Sequence, residues 1–193
     1  MQRINQTLEG FKAQKKTRYS REGKIETPLT DQDFTEGIEH GKFLKPGHKE
    51  FCILLYYSAV RTSEALRTTK KNFVITRSAI MFDVGERLKH SKKTSALTIP
   101  LNAAYVPELK EWIEKTKNGD RVFPYCRKTG YNIVRRAFKY PHLFRLSRIT
   151  NFFLEGWTIV QVRSWTGLSL RALEFYVGMV DIMRMGESLA KKK

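Results

Sequence analysis

Two short stretches of this sequence each place basic side chains where they could act on an anionic group. Arg61-Thr62-Ser63-Glu64 follows directly on the apolar run 51–60, and the i, i+3 spacing puts Arg61 and Glu64 on one helical face. His142 and Arg145 have the same spacing, which aims an imidazole and a guanidinium at one point. Taken singly, either arginine reads as a charge snorkelling at a helix end, and His142 as a surface or satisfied core residue. Taken together, two planar guanidinium forks can hold one phosphodiester and stabilise charge on its pentacoordinate transition state, a task for which Lys is a poor replacement. An imidazole beside them suits a proton shuttle.

The rest of the composition narrows the partner. The chain has 193 residues, with 36 Lys+Arg against 19 Asp+Glu and a formal charge of +17. At 41% apolar and 12% aromatic residues it is too hydrophobic to be disordered and long enough to bury a core in one main domain. The run 51–60 is about half a membrane span, and MQRINQTLEG has no apolar signal core. The expectation is therefore a soluble, cytoplasmic protein with no membrane partner. Two cysteines, Cys52 and Cys126, exclude a disulfide framework and a four-cysteine zinc site. The histidines are scattered, and there is no Walker A loop, G-x-G-x-x-G, H-E-x-x-H or G-x-S-x-G motif. No metal or cofactor is expected, so chemistry on a nucleic acid would use cations and a side-chain nucleophile.

The charge is clustered. Residues 1–24 carry seven Lys/Arg and two Glu, and residues 61–93 carry nine Lys/Arg and three acids. Residues 127–148 carry seven Lys/Arg and no acid, and the chain ends in Lys191-Lys192-Lys193. Repeated basic clusters between apolar helices suit repeated phosphate contacts. Arg127, Lys128, Arg135, Arg136 and Arg148 are read as backbone-tracking charges.

The elements that must position these groups are mainly helical. Thr30-Asp31-Gln32-Asp33 predicts a helix start opening residues 34–40, and apolar spacing predicts one buried helix over 50–68. A Val, Ile and Phe-rich strand follows over 73–84 and another over 96–101. The polar, basic stretch 85–95 is assigned to a middle strand and turns. Helices are then predicted over 107–117, 132–139, 143–155, 159–165 and 170–177. The fold class is mainly α with a small three-stranded antiparallel β-sheet.

The string LLYYSAVRTSEAL resembles the first box of the tyrosine recombinase (phage integrase) family, in which an apolar helix ends in Arg-x-Ser-Glu-Leu-like sequence. Pro141-His142-Leu143-Phe144-Arg145 resembles the family's His-x-x-Arg. Trp165-Thr166-Gly167-Leu168-Ser169, followed by Glu174-Phe175-Tyr176, resembles its Leu-Gly-His-x-Ser…Tyr segment. Lys92-Lys93-Thr94 before Leu97-Thr98-Ile99-Pro100-Leu101 resembles its β-hairpin lysine and trailing strand. The boxes keep the family's order over about four-fifths of the chain, and the sequence looks closest to divergent archaeal and viral integrases.

The resemblance implies a catalytic domain over residues 25–180. Residues 1–24 would be a basic arm or linker remnant, and 181–193 a C-terminal tail exchanged between subunits. It implies phosphate activation by Arg61 and Arg145, proton transfer by His142, and Tyr176 as nucleophile forming a 3′-phosphotyrosine without ATP. It implies a lysine acid for the leaving 5′-oxygen. Lys92 is favoured, Lys93 stands close behind, and Lys89 is a third choice; Lys89 and Lys93 are otherwise DNA contacts. Glu64 would orient a basic partner. The implied partners are duplex DNA and further copies of the chain, as homodimer or homotetramer on paired sites.

Two departures accompany this. Leu168 stands where the family usually has a His or Trp donor to the phosphate, and Trp165 is a neighbour that could reach the site instead. About 25 residues precede the catalytic region, too few for the family's usual core-binding domain, so the chain is naturally minimal or a fragment. Two rival activities follow: a type IB topoisomerase-like relaxation, and a non-catalytic DNA-binding accessory protein that keeps the fold.

Overall fold

The computed structural model describes residues 27–84 and 96–190. Around the sheet stand eight α-helices among the described residues. In chain order they are α1 (Asp31–His40), α2 (His48–Ser58), α3 (Thr62–Ala65), α4 (Val106–Lys115), α5 (Arg127–Val134), α6 (Pro141–Leu154), α7 (Ile159–Thr166) and α8 (Leu170–Ala190). The strands β1 (Phe73–Ile75), β2 (Ala79–Asp83) and β3 (Ala96–Pro100) form one antiparallel sheet in that order. None of the described helices is long and apolar enough to cross a membrane.

The centre is α2, in which every residue from Phe51 to Ser58 is buried. A helix that is apolar all round must be enclosed on every side, and here α4, α5, α6 and the sheet enclose it. Helix α1 opens on a reciprocal cap: Thr30 Oγ1 accepts from Asp33 N–H while Asp33 accepts from Thr30 N–H. Its Phe34 ring stacks on Tyr56 at 3.9 Å, and Tyr56 Oη donates to Asp31 at 2.6 Å. Leu29 N–H donates to Ser147 Oγ at 2.7 Å, fixing the start of α1 against α6.

The sheet turns its Ile80, Phe82, Leu97 and Ile99 side chains inward, while Val74 and Met81, cross-strand partners, face out. This follows the two-residue period of a strand. The stretch 73–84 is two strands rather than one, because Thr76 Oγ1 accepts from Ala79 N–H and closes a turn. The middle strand is therefore β2, within 73–84. The stretch 85–95 lies outside the described residues.

The predicted helix over 50–68 is also two. Ala59 takes a left-handed conformation (φ 53°) that ends α2, and α3 restarts at Thr62. The predicted helix over 132–139 begins earlier, at Arg127, with Cys126 Sγ accepting from Thr129 N–H. Helix α8 runs through the expected boundary at 180/181 to Ala190.

Two hydrophobic clusters result. The larger surrounds α2 and the sheet; the smaller joins α6, α7 and α8 and includes Ala59, Leu143, Leu146, Leu173 and Tyr176.

Candidate active site

Arg61 sits at the N-cap of α3, displayed there by the break after α2. Glu64, almost fully buried, accepts from Arg61 Nη1 at 2.6 Å and from the Arg61 backbone N–H at 2.9 Å. Burial would raise the Glu64 carboxyl, but the hydrogen bonds and charge of Arg61, with Arg145 adding to them, hold it below its ordinary range. Glu64 thus bonds both the backbone and the guanidinium of Arg61.

Helix α6 starts with Tyr140 as N-cap and Pro141 in its first turn, where a missing N–H costs nothing. His142 and Arg145 follow one turn apart. Arg145 is only 4% exposed; its Nη1 donates to Ala59 O and its Nη2 to Thr166 O at 3.1 Å. One guanidinium thereby ties α6 to the turn before Arg61 and to the end of α7. Gly167 (φ 63°) then closes α7 in a conformation that an L side chain resists.

Arg61, His142 and Arg145 line one cleft of about 490 Å³, together with Val60, Thr62, Ser63, Arg127, Tyr131, Tyr140 and Pro141. Three of these residues are arginines and none is a carboxylate. Burial, then Arg145 and Arg61, push the His142 imidazole down to about 4. It is neutral near pH 7. The first turn of α6 adds the positive end of a 14-residue helix to the same wall. Such a cleft can bind an anion through several donors and take a proton from a group attacking it.

Tyr176 is not among the residues lining this cleft. It lies on α8, 7% exposed, in the cluster that holds Ala59 and Leu143, with its ring edge against Phe175. Lys89, Lys92 and Lys93 lie outside the described residues. Leu168 packs against the smaller cluster. Trp165 does not offer its indole N–H to the cleft, because Nε1 donates to Ser58 O at 3.2 Å.

The acid-free stretch divides. Arg127, Lys128, Arg135 and Arg136 are exposed, and of these Arg127 lines the cleft. Arg135 and Arg136 line a second hollow with Lys139, Phe138 and Asp33. Arg148 is paired with Glu155 at 3.0 Å and lies over the Phe152 ring at 4.5 Å. Glu155 lies seven residues on, two turns along the same helical face at the end of α6, a longer reach than the i, i+3 and i, i+4 spacings. Tyr131 and Tyr140 are cleft residues that the sequence reading passed over. The available signals were the i, i+4 spacing of Tyr131 from Arg127 and the adjacency of Tyr140 to Pro141-His142.

No family model matches this sequence, and no curated protein does. The architecture is that of the catalytic domain of tyrosine recombinases. Among solved structures, the chain is similar to the XerH site-specific recombinase bound to palindromic difH substrate in a post-cleavage complex. The TM-score there is 0.64 at 18% identity, over 90% of this chain and 55% of that one. It is similar to XerA recombinase at TM-score 0.60 and 14% identity, over 84% of this chain and 61% of that one. It is also similar to the catalytic domain of bacteriophage HP1 integrase at TM-score 0.52 and 19% identity, over 79% of this chain and 85% of that domain. The chain spans between half and two-thirds of the XerH and XerA chains.

Proposed function

We propose that this chain cleaves and rejoins duplex DNA at specific sites through a 3′-phosphotyrosine on Tyr176, as a recombinase or integrase acting in pairs or tetramers. The observation that carries the reading is the convergence of Arg61, His142 and Arg145 on one cleft with no carboxylate among its described lining residues, in a fold shared with recombinases. Arg61 and Arg145 hold the non-bridging oxygens of the scissile phosphate. Neutral His142 accepts the phenol proton as Tyr176 Oη bonds to phosphorus. The bond from phosphorus to the 5′-oxygen breaks, and Lys92 or Lys93 protonates that oxygen. The phosphotyrosine keeps the energy of the broken diester, so attack by a 5′-hydroxyl reverses the step without ATP. Arg127 and Lys128 hold flanking phosphates and supply salt-dependent affinity.

In this reading Tyr176 leaves its cluster when DNA binds, since α8 must bring its hydroxyl to the cleft. The same burial, with Leu168, favours a second reading: a DNA-binding accessory protein that does not cut. A nicked suicide duplex, incubated with the protein in EDTA, separates the two. A covalent protein–DNA band that is lost in Tyr176→Phe, with binding retained, is the expected result. Intact binding to cognate DNA without any band overturns the enzyme.

A further inference from the structure

One residue lining the cleft carries a hydroxyl that the proposed function does not use. The Tyr140 hydroxyl is buried and has no hydrogen-bond partner among the described residues, although its residue lines the same cleft as Arg61, His142 and Arg145. A phenol removed from water without a partner destabilises the protein that carries it. Nor is its position loose. Tyr140 is the extended N-cap residue of α6 (φ −170°), its ring packs against the smaller hydrophobic cluster, and Pro141 stiffens the backbone that follows.

The cleft also has fewer free donors than its arginines suggest. Arg145 gives two N–H groups to the carbonyls of Ala59 and Thr166, and Arg61 gives one to Glu64. The single N–H of the Trp165 indole goes to Ser58, and the Leu168 backbone N–H goes to Thr166 Oγ1 at 3.3 Å. A tetrahedral anion seated between the arginines presents more lone pairs than the forks alone can fill.

We infer that the Tyr140 hydroxyl donates a hydrogen bond to a non-bridging oxygen of a phosphate held in the cleft, and so supplies the contact that Leu168 cannot make. That the phosphate is the scissile one rests on the proposed function; that Tyr140 contacts a phosphate does not. The role differs from that of Tyr176: Tyr140 forms no covalent bond, and its proton stays shared with the phosphate oxygen.

Tyr140→Phe removes one oxygen and keeps the ring. Two measurements on the full chain test it: melting temperature against inorganic phosphate concentration, and the rate of covalent adduct formation on the nicked duplex. Without phosphate, the variant should melt at the same temperature as the parent or higher, because an unpartnered hydroxyl has gone. Phosphate should stabilise it less, corresponding to roughly tenfold weaker binding, and adduct formation at saturating DNA should slow by about ten- to a hundredfold. A lower melting temperature without phosphate would show that the hydroxyl has a structural partner, and would overturn the inference. Unchanged phosphate stabilisation would overturn it too, whatever happens to cleavage, as would a parent protein that phosphate fails to stabilise. Weakened phosphate binding in a protein that forms no adduct would leave Tyr140 as a phosphate donor and refute the recombinase reading alone.

Discussion

Replacing Arg145 by Lys keeps the charge and removes the fork, which separates the two tasks assigned to that side chain. Arg145 holds the buried carbonyls of Ala59 and Thr166 at once, and a single ammonium on a flexible stem reaches one of them. The other carbonyl is left buried without a donor, at a cost of about 2 kcal/mol. For a chain of this size each kcal/mol moves the melting temperature by about 2–4 °C, so Arg145→Lys should melt about 4–8 °C lower. Its second loss is the fork on the phosphate, which should slow adduct formation on a nicked duplex by about a hundred- to a thousandfold at saturating DNA. DNA affinity at fixed salt should change little, because Arg127, Lys128 and their neighbours remain. Scanning fluorimetry and a single-turnover gel assay read the two effects separately. Adduct formation at the parent rate would refute the phosphate role, and an unchanged melting temperature would refute the structural one.

Three further outcomes are expected. His142 titrates at about 4 in the folded chain, with burial as the main cause, against about 6.5 when unfolded. The unfolded chain therefore binds a proton that the folded one refuses: the contribution is intact above pH 6.5 and lost as pH falls towards 4, amounting to about 3 kcal/mol at most. Urea unfolding of the parent and of His142→Gln should diverge over that window in favour of the variant; parallel curves would contradict the assignment. Arg148→Ala should lower stability by about 1 kcal/mol through its ion pair and ring contact, yet leave the salt dependence of DNA binding unchanged. Arg127→Ala should reduce the slope of log K against log salt by about 0.9; the reverse pattern would show that the two arginines have been assigned the wrong way round.

Local signals in the sequence were reliable where the physics is local. Thr30 and Asp33 cap α1 as their spacing implies, and His142 and Arg145 share a helical face because three residues make nearly one turn. The order of elements and the small sheet were legible from the change of hydrophobic period after residue 72. What was hidden depends on distance in the fold. Ala59 carries no conformational signature, so the break that displays Arg61 could not be read from an apolar run. Trp165 bonds to Ser58 across 107 residues, and no spacing rule predicts that its N–H is taken. Tyr140 has only its adjacency to Pro141-His142 to mark it, and adjacency does not say that its hydroxyl is buried without a partner.

The guanidinium of Arg145 also bears on how proteins of this fold should be sorted into active and inactive. A side chain that satisfies two buried carbonyls stabilises the fold before any substrate arrives. Arg61, clamped by a buried carboxylate at the restart of a helix, is in a similar position. A descendant that lost the chemistry would still be under pressure to keep both, so the paired arginines by themselves are weaker witnesses to activity than the His142 that joins them in the cleft. Groups the fold does not need, such as the Tyr140 hydroxyl, testify to a ligand instead, because only a ligand repays their cost.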